Sequence, residues 1–353
     1  MSLTVLSVAY PLAPVRADTP GGAEQILGLL DSELTALKHK SIVIACEGSQ
    51  VEGELIETPS VNRPIDSEVR AHIREQHKFA INQALKKWDV DIIHMHGLDY
   101  DCYLPPHGVP VLATLHLPLA WYSQKALYPK RPETYLHCVS KSQRMTYPSG
   151  LKLLDDIENG VPIERLAANV SKRNFAISLG RICPEKGFHI AIEAARKAGV
   201  PMLLAGRVFN YETHENYFNK EIVPRLDEKC CRFIGPIGFE RKRRLLSAAK
   251  CVLVPSLAPE TSSLVAMEAL ACGTPVIAFP SGALTNIIED GKTGFLVTNQ
   301  AEMAVAIKFS EEIDPEACRQ SARERFSSRV MVNNYLETYS RLIEGRDIEY
   351  LFS

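Results

Sequence analysis

Apolar residues along this chain fall into two alternating kinds of segment. Short β-rich runs such as Thr4 to Ala9 are apolar at most positions, the pattern of a strand buried on both faces. Longer segments space their apolar residues three and four apart. In Ala23 to Lys38 these are Ile26, Leu29, Leu30, Leu34 and Leu37, one face of a helix. A loop rich in Pro and Gly, ending at Gly21-Gly22, joins the two. Further strands are predicted at 41–45, 91–95, 109–115 and 135–139, with a long helix from about Ser67 to Trp88.

The same grammar then restarts. Strands are predicted at 175–179, 201–205, 232–234, 251–255 and 275–278, with helices at 187–198, up to 249, at 263–271 and from about 328 to 344. Strands separated by helices imply mostly parallel sheets covered on both faces. The expected class is therefore α/β, with two doubly wound, Rossmann-like domains. The join falls near Asn159 to Arg173, where Asn-Gly-Val-Pro and a polar stretch read as a linker. The expected division is an N-terminal domain over 1–165, a C-terminal domain over 166–335, and a helix or tail over 336–353 packing back toward the N-terminal domain. Ligands of such folds bind beyond the carboxyl ends of the strands. The loops after residues 9, 96, 115, 179, 205, 234 and 255 are the ones to inspect.

Composition narrows the function classes. The chain's 353 residues suit two domains, and a net charge of −2 argues against a nucleic-acid partner. The nine cysteines form an odd set without a Cys-x-x-Cys pair, and several sit inside apolar runs, as reduced buried cysteines do. No apolar stretch is long enough to span a bilayer, and the first residues lead directly into a strand without a signal-peptide pattern. The expected location is cytoplasmic. The basic run Arg241-Lys242-Arg243-Arg244 reads as a solvated helix face, or as a patch for weak peripheral contact with anionic lipid.

The most informative segment runs from Pro255 to Ala278. A strand ends at Pro255, a loop delivers Glu260, and a helix opens at Ser262 or Ser263. The first amides of a helix lack intrahelical partners and its dipole favours an anion, so this is a seat for a diphosphate. Glu268 lies about two turns further on, which places two carboxylates at opposite ends of an extended hydroxylated ligand. Arg181, at a strand end, and Lys186, five residues later, offer a guanidinium fork and a point charge for the same anion.

This stretch resembles the nucleotide-sugar signature of the retaining family-4 glycosyltransferases of GT-B fold. Other segments match in the same order: Gly21-Gly22-Ala23-Glu24, Asp91 to Gly97, Ala113 to His116, Val139 to Ser142, Glu158 to Val161, Gly180 to Gly187, Leu204 to Gly206, Phe233 to Gly235 and Gly291 to Val297. The resemblance covers roughly residues 4 to 340. It implies two Rossmann-like domains facing across a cleft, and transfer of a hexosyl group from a nucleotide-diphosphate sugar, UDP-linked, to an acceptor hydroxyl with retention. Growth of a surface polysaccharide or glycoconjugate is the expected setting.

The same resemblance implies the roles of individual residues. Glu260 meets the donor sugar, Glu268 the ribose, Arg181 and Lys186 the diphosphate, and His116 the reacting face of the sugar. Glu260, His116, Arg181 and Lys186 form the expected catalytic set. Gly21, Gly22, Ser262, Ser263, Leu264 and Val265 complete the donor side. His96, Asp99 and Trp121 are candidates for the acceptor side. No cofactor and no metal is expected, because Arg181, Lys186 and the helix terminus already supply positive charge. Asp89-Val90-Asp91 and Asp99-Tyr100-Asp101 imitate a metal-binding Asp-x-Asp of another glycosyltransferase fold, but Asp89 and Asp91 read as turn punctuation. Two departures leave the sugar open. Ser262-Ser263 replaces the family's Phe-Gly, and Thr285-Asn286 replaces a Pro-Glu. An epimerase or phosphorylase of the same fold, or a nucleotide-sugar-binding scaffold, is the alternative.

Overall fold

The computed structural model describes residues 2–19, 21–61, 64–147, 150–168, 170–227 and 229–345. The chain forms two compact units, one of Met1–Asn159 with Ser328–Ser353 and the other of Gly160–Ser327. The last part of the expected tail, residues 346–353, lies outside the described residues.

The first unit is built on a six-stranded parallel sheet in the order β3-β2-β1-β4-β5-β6. Its strands are β1 (Thr4–Val8), β2 (Lys40–Cys46), β3 (Glu54–Thr58), β4 (Ile92–Met95), β5 (Val111–Leu115) and β6 (Thr134–Cys138). Central β4 and β5 are buried at every position, as strands covered on both faces must be. The edge strand β3 is not among the sequence-predicted strands. Its Glu54 and Glu57 are exposed, and charge on an edge discourages further pairing while hiding the strand from a search for apolar runs. Asp31 fixes the approach to β3. Its buried carboxylate accepts from Ser41 Oγ and from the Glu52 amide, both at 2.6 Å.

Two helices cover the sheet as their patterns predict. The Gly22–Ala36 helix buries Ile26, Leu27, Leu30 and Leu34; Leu27, not Leu29, completes the apolar face. The Ser67–Lys87 helix begins at Asp66, whose side chain accepts from the Val69 amide at 2.8 Å, and ends on Lys86 and Lys87, which complement its dipole.

The Ser328–Glu344 helix belongs to this first unit and packs on the Gly22–Ala36 helix. Its polar anchor is fully buried. Tyr339 Oη shares a 2.7 Å hydrogen bond with His94 Nδ1, and His94 Nε2 lies 2.6 Å from Thr114 Oγ1. Thr114 Oγ1 also lies 2.6 Å from His137 Nε2 and 3.3 Å from Tyr335 Oη.

The second unit repeats the topology. Its strands β7 (Ala176–Leu179), β8 (Met202–Ala205), β9 (Cys231–Phe233), β10 (Cys251–Val254), β11 (Val276–Ala278) and β12 (Gly294–Leu296) lie in the order β12-β11-β10-β7-β8-β9. Strand residues alternate between two cores. Val252 and Val254 pack with Met267, Leu270 and Phe326, whereas Cys251 and Leu253 pack with Phe188, Ile192 and Ile307. The helices Leu264–Ala271 and Pro315–Phe326 therefore cover one face, and Phe188–Ala198 and Gln300–Phe309 the other. All nine cysteines are free and most are buried. No helix among the described residues is long and apolar enough to cross a membrane.

The buried histidines give the first unit a pH dependence. Burial pushes His137 down to about 4 and holds His94 well below its usual value, where neighbouring imidazoles add to the effect. In the unfolded chain these groups titrate near 6.5. As pH falls below about 6.5 the unfolded chain takes up protons that the folded unit refuses, so stability is lost from there down through the folded values, at about 1.4 kcal/mol per pH unit for each such group. Both tryptophans, Trp88 and Trp121, lie in this unit and report its unfolding. Their fluorescence should show a lower urea midpoint at about pH 5 than at about pH 7.5. A midpoint constant over that range contradicts this account.

Candidate active site

Both sheets have the doubly wound order in which the first and fourth strands of a unit lie side by side and their connections leave in opposite directions. Ligands bind at that switch point, beyond the carboxyl ends of the strands. In the second unit the two strands are β7 and β10, with Ala176 paired to Cys251 and Ile177 to Val252. The β7 loop carries Arg181 and Lys186, and the β10 loop carries Glu260, so sequence-distant charges are delivered to one place.

The two loops are joined by backbone. The Leu257 amide donates to the Glu185 carbonyl at 2.7 Å. Gly187 lies at φ +62°, and a Cβ there would come within 2.3 Å of the Pro255 carbonyl oxygen, so only glycine allows this approach. Lys186 Nζ then meets Glu260 Oε1 at 2.6 Å, and Ser256 Oγ donates to the same oxygen. The Lys186 side chain is 24% exposed and that of Glu260 11%. Glu260 is also held by its backbone. The Ala283 amide donates to its carbonyl at 2.8 Å, and Gly282 at φ +61° leaves no room for a Cβ against Glu260.

Beyond this pair the Leu264–Ala271 helix opens at Ser263, which makes no side-chain capping bond. Ser263 is buried, Leu264 and Val265 are half-buried, and Ser262 Oγ is buried with no hydrogen-bond partner. Free amide donors beside an unpaired hydroxyl form an anion seat. Glu268 lies nearer the mouth of the helix than the two turns expected, a little over one turn in, about 6 Å. Its carboxylate is only 5% exposed and pairs with Lys242 Nζ. Arg181 is exposed at the end of β7, and its side chain has no hydrogen bond or ion pair among the described residues.

The switch point of the first unit carries different chemistry. His96 and His116 follow β4 and β5, their rings stacked at 5.3 Å and an interplanar angle of 20°, with His96 Nδ1 3.0 Å from His116 Nε2. Both are buried, which pushes His116 down to about 3 and holds His96 well below its usual value. They are neutral imidazoles at physiological pH, suited to exchanging hydrogen bonds with hydroxyls. His94, the alternating neighbour of His96, is occupied by Tyr339 and Thr114.

The remaining first-unit candidates are placed as follows. Asp99 accepts from Arg74 Nε at 2.8 Å, and Asp91, just before β4, accepts from the Thr4 amide at the start of the neighbouring β1 at 2.7 Å. Trp121 is 58% exposed. Gly21 precedes the first turn of the Gly22–Ala36 helix, and the Glu24 carboxylate sits where a Cβ on Gly21 would be, so in this structure that carboxylate covers the glycine.

The profile of glycosyl transferases group 1 matches residues 164–327, and that of Glycosyltransferase Family 4 matches residues 20–151. The chain belongs to the family-4 glycosyltransferases. It is 27% identical over 254 residues to an uncharacterised glycosyltransferase of Methanocaldococcus jannaschii, covering 67% of this chain and 69% of that one. It is 34% identical over 174 residues to a D-inositol 3-phosphate glycosyltransferase of Mycolicibacterium smegmatis, covering 46% of this chain and 39% of the relative. The match thus spans less than half of that relative's length. Among solved structures, Anabaena HepE in complex with UDP and glucose superposes with a TM-score of 0.72 at 20% identity, covering 96% of this chain and 99% of that one. That likeness establishes the GT-B fold, with its two Rossmann-like domains.

In this glycosyltransferase the sequence reading missed Lys242, Ser256 and Gly282. Lys242 carried a usable signal. It stands four residues before Leu246, the first buried residue of the Phe239–Ala248 helix, and so shares its face. The basic run is therefore not one solvated face. Arg241 and Arg244 are exposed, Arg243 pairs with Glu240 at 2.8 Å, and Lys242 turns to Glu268. Removing Lys242 would leave a buried carboxylate unpaired. Lys242→Met should cost about 2–4 kcal/mol of stability in chemical denaturation, whereas Arg241→Met and Arg244→Met should stay within about 0.5 kcal/mol. Equal effects in all three would refute the pairing.

Proposed function

We propose that this glycosyltransferase moves a hexosyl group from a UDP-sugar to an acceptor hydroxyl with retention of anomeric configuration. The observation that carries the proposal is the grouping at the second switch point: an uncapped helix start and an unpaired buried hydroxyl beside Lys186–Glu260 and the exposed Arg181. An anion with hydroxylated groups at both ends suits that arrangement, and the HepE structure contains UDP and glucose.

Arg181, Lys186 and the amides at Leu264 and Val265 hold the diphosphate. Glu260 accepts from hydroxyls of the sugar, with Ser262 and Ser263 beside it. Glu268 accepts from the ribose while Lys242 holds its charge. In the reaction the bond between the anomeric carbon and the diphosphate oxygen breaks, and the acceptor oxygen bonds to that carbon. The acceptor proton passes to the departing diphosphate. Charge growing on that diphosphate is the main electrostatic demand, and cations already in place meet it without reorganisation. His116, neutral, hydrogen-bonds a sugar hydroxyl. Gly21 and Gly22 give backbone access to a phosphate once the Glu24 carboxylate swings aside. His96, Asp99 and Trp121 serve the acceptor, with Trp121 offering an open face for stacking. A surface polysaccharide or glycoconjugate is the acceptor class we favour. With Arg181 and Lys186 present, the transfer uses no divalent ion on the diphosphate.

UDP release from UDP-glucose and related donors tests this reading. Lys186→Ala and Glu260→Ala should each lower kcat by about 10²–10³-fold, the loss typical of removing one preorganised partner of the transition state. Added magnesium should leave the wild-type rate unchanged. Near-normal turnover in both variants would sink the assignment, and a rate that requires magnesium would overturn its metal-independent form.

A further inference from the structure

Between Arg181 and Lys186 the β7 loop carries two further residues of distinct chemistry. Cys183 is buried and precedes the single turn Pro184–Lys186, and Glu185 lies in that turn. His214, on the Glu212–Tyr217 helix, packs against the same turn. Cys183 Sγ, a Glu185 carboxylate oxygen and a ring nitrogen of His214 all lie within 4.8 Å of one another. The His214 and Tyr211 rings meet in a T-shaped arrangement, with centroids 5.1 Å apart and planes at 88°, and Phe209 lies 6.3 Å away. His214 is 9% exposed, and its Nδ1 is buried with no hydrogen-bond partner. A buried imidazole nitrogen left unpaired beside a thiol and a carboxylate is costly unless something else binds there.

We infer that Cys183, Glu185 and His214 form a site for one zinc ion, which ties the β7 loop to the Glu212–Tyr217 helix. The donor set selects the ion. Thiolate and imidazole favour zinc over magnesium or calcium, which take oxygen ligands. A tetrahedral zinc with bonds of about 2.0–2.3 Å holds neighbouring ligand atoms about 3.5 Å apart. The exposed Glu185 carboxylate already accepts from the Cys183 thiol and closes the remaining gap by exchanging that bond for the ion, and water completes the fourth position. Binding converts the thiol to a thiolate and releases its proton to water, while the carboxylate and neutral imidazole bind as they are. The ion bonds protein elements to one another and is separate from the diphosphate chemistry. Its role is to fix the segment that carries Arg181 and Lys186.

Cobalt is the spectroscopic probe for such a site, and it reports independently of transfer activity. Full-length protein, stripped with chelator and titrated with Co²⁺, should develop a thiolate-to-metal charge-transfer band that saturates at one equivalent and is bleached by Zn²⁺. Cys183→Ser should abolish the band, and Cys230→Ser should leave it intact. Glu185→Gln and His214→Gln should weaken Co²⁺ binding by more than about tenfold. Glu185 is exposed, so its variant tests the site without disturbing a core position. Absence of the band in the wild-type protein overturns the inference, as does its persistence in Cys183→Ser. Unchanged affinity in both the Glu185 and His214 variants overturns it as well.

Discussion

The adjacency of β7 and β10 is the constraint on which the second unit's chemistry depends. Those strands are separated by two others in the chain yet are hydrogen-bonded neighbours in the sheet. The connection from β7 leads to a helix on one face and that from β10 to a helix on the other, so the two loops diverge above a shared edge. Lys186 and Glu260, 74 residues apart, meet there at 2.6 Å. Gly187 and Gly282 are the conditions of that meeting, since a side chain at either would collide with the opposing backbone. Both side chains are largely buried, Lys186 at 24% and Glu260 at 11% exposure, so the carboxylate needs a partner whenever the lysine leaves it. Ser256 Oγ donates to the same carboxylate oxygen, so in the proposed reaction Glu260 keeps a hydrogen bond while the lysine turns to the diphosphate.

The two units share a topology and differ in what they place at the switch point. The second presents charges: Arg181 exposed, Lys186 and Glu260 paired, Glu268 buried against Lys242. The first presents neutral imidazoles, because burial makes the charged form of His96 and His116 expensive. The proposed transfer asks for that contrast, with cations where negative charge grows and uncharged hydrogen-bonding groups where hydroxyls are handled. The Ser328–Glu344 helix supports the second of these. Tyr339 and Tyr335 reach His94 and Thr114 and so fix the strands from which His96 and His116 project.

Much of this was legible in the sequence, and the gaps have physical causes. Central strands announce themselves as continuous apolar runs. β3 escapes because an edge strand carries charge, and β12, also at an edge, because Gly294 and the Gly291-Lys292-Thr293 turn before it read as a loop. Arg181, Lys186, Glu260 and Glu268 could be singled out because they sit in loops at strand ends or on the helix that follows. Their partners could not: Gly282 matters only once β10 and β11 lie side by side, and Ser256 only once the loop after β10 folds back so that Glu260 returns to it. Lys242 is the intermediate case. Helical spacing from Leu246 places it inward, but the contact with Glu268 requires the Phe239–Ala248 helix to lie against Leu264–Ala271. The Cys183, Glu185 and His214 cluster was invisible for the same reason, as His214 arrives on a different element, the Glu212–Tyr217 helix.

In the proposed reaction, sugar selection falls to the segment between the two carboxylates. Where the pattern this chain resembles has Phe-Gly, the chain has Ser262 and Ser263, and Ser262 Oγ is buried without a partner. An unpaired buried hydroxyl costs about 1–3 kcal/mol. A ligand that supplies the missing hydrogen bond recovers that cost, and one that lacks the matching group does not. Sites built on hydrogen bonds discriminate far more sharply than apolar pockets, because the wrong ligand leaves the protein's own group unsatisfied. On the proposed reading, the departure from the family pattern changes the kind of selectivity the site exerts, from the shape of a ring to the presence of one hydroxyl or carbonyl on the donor.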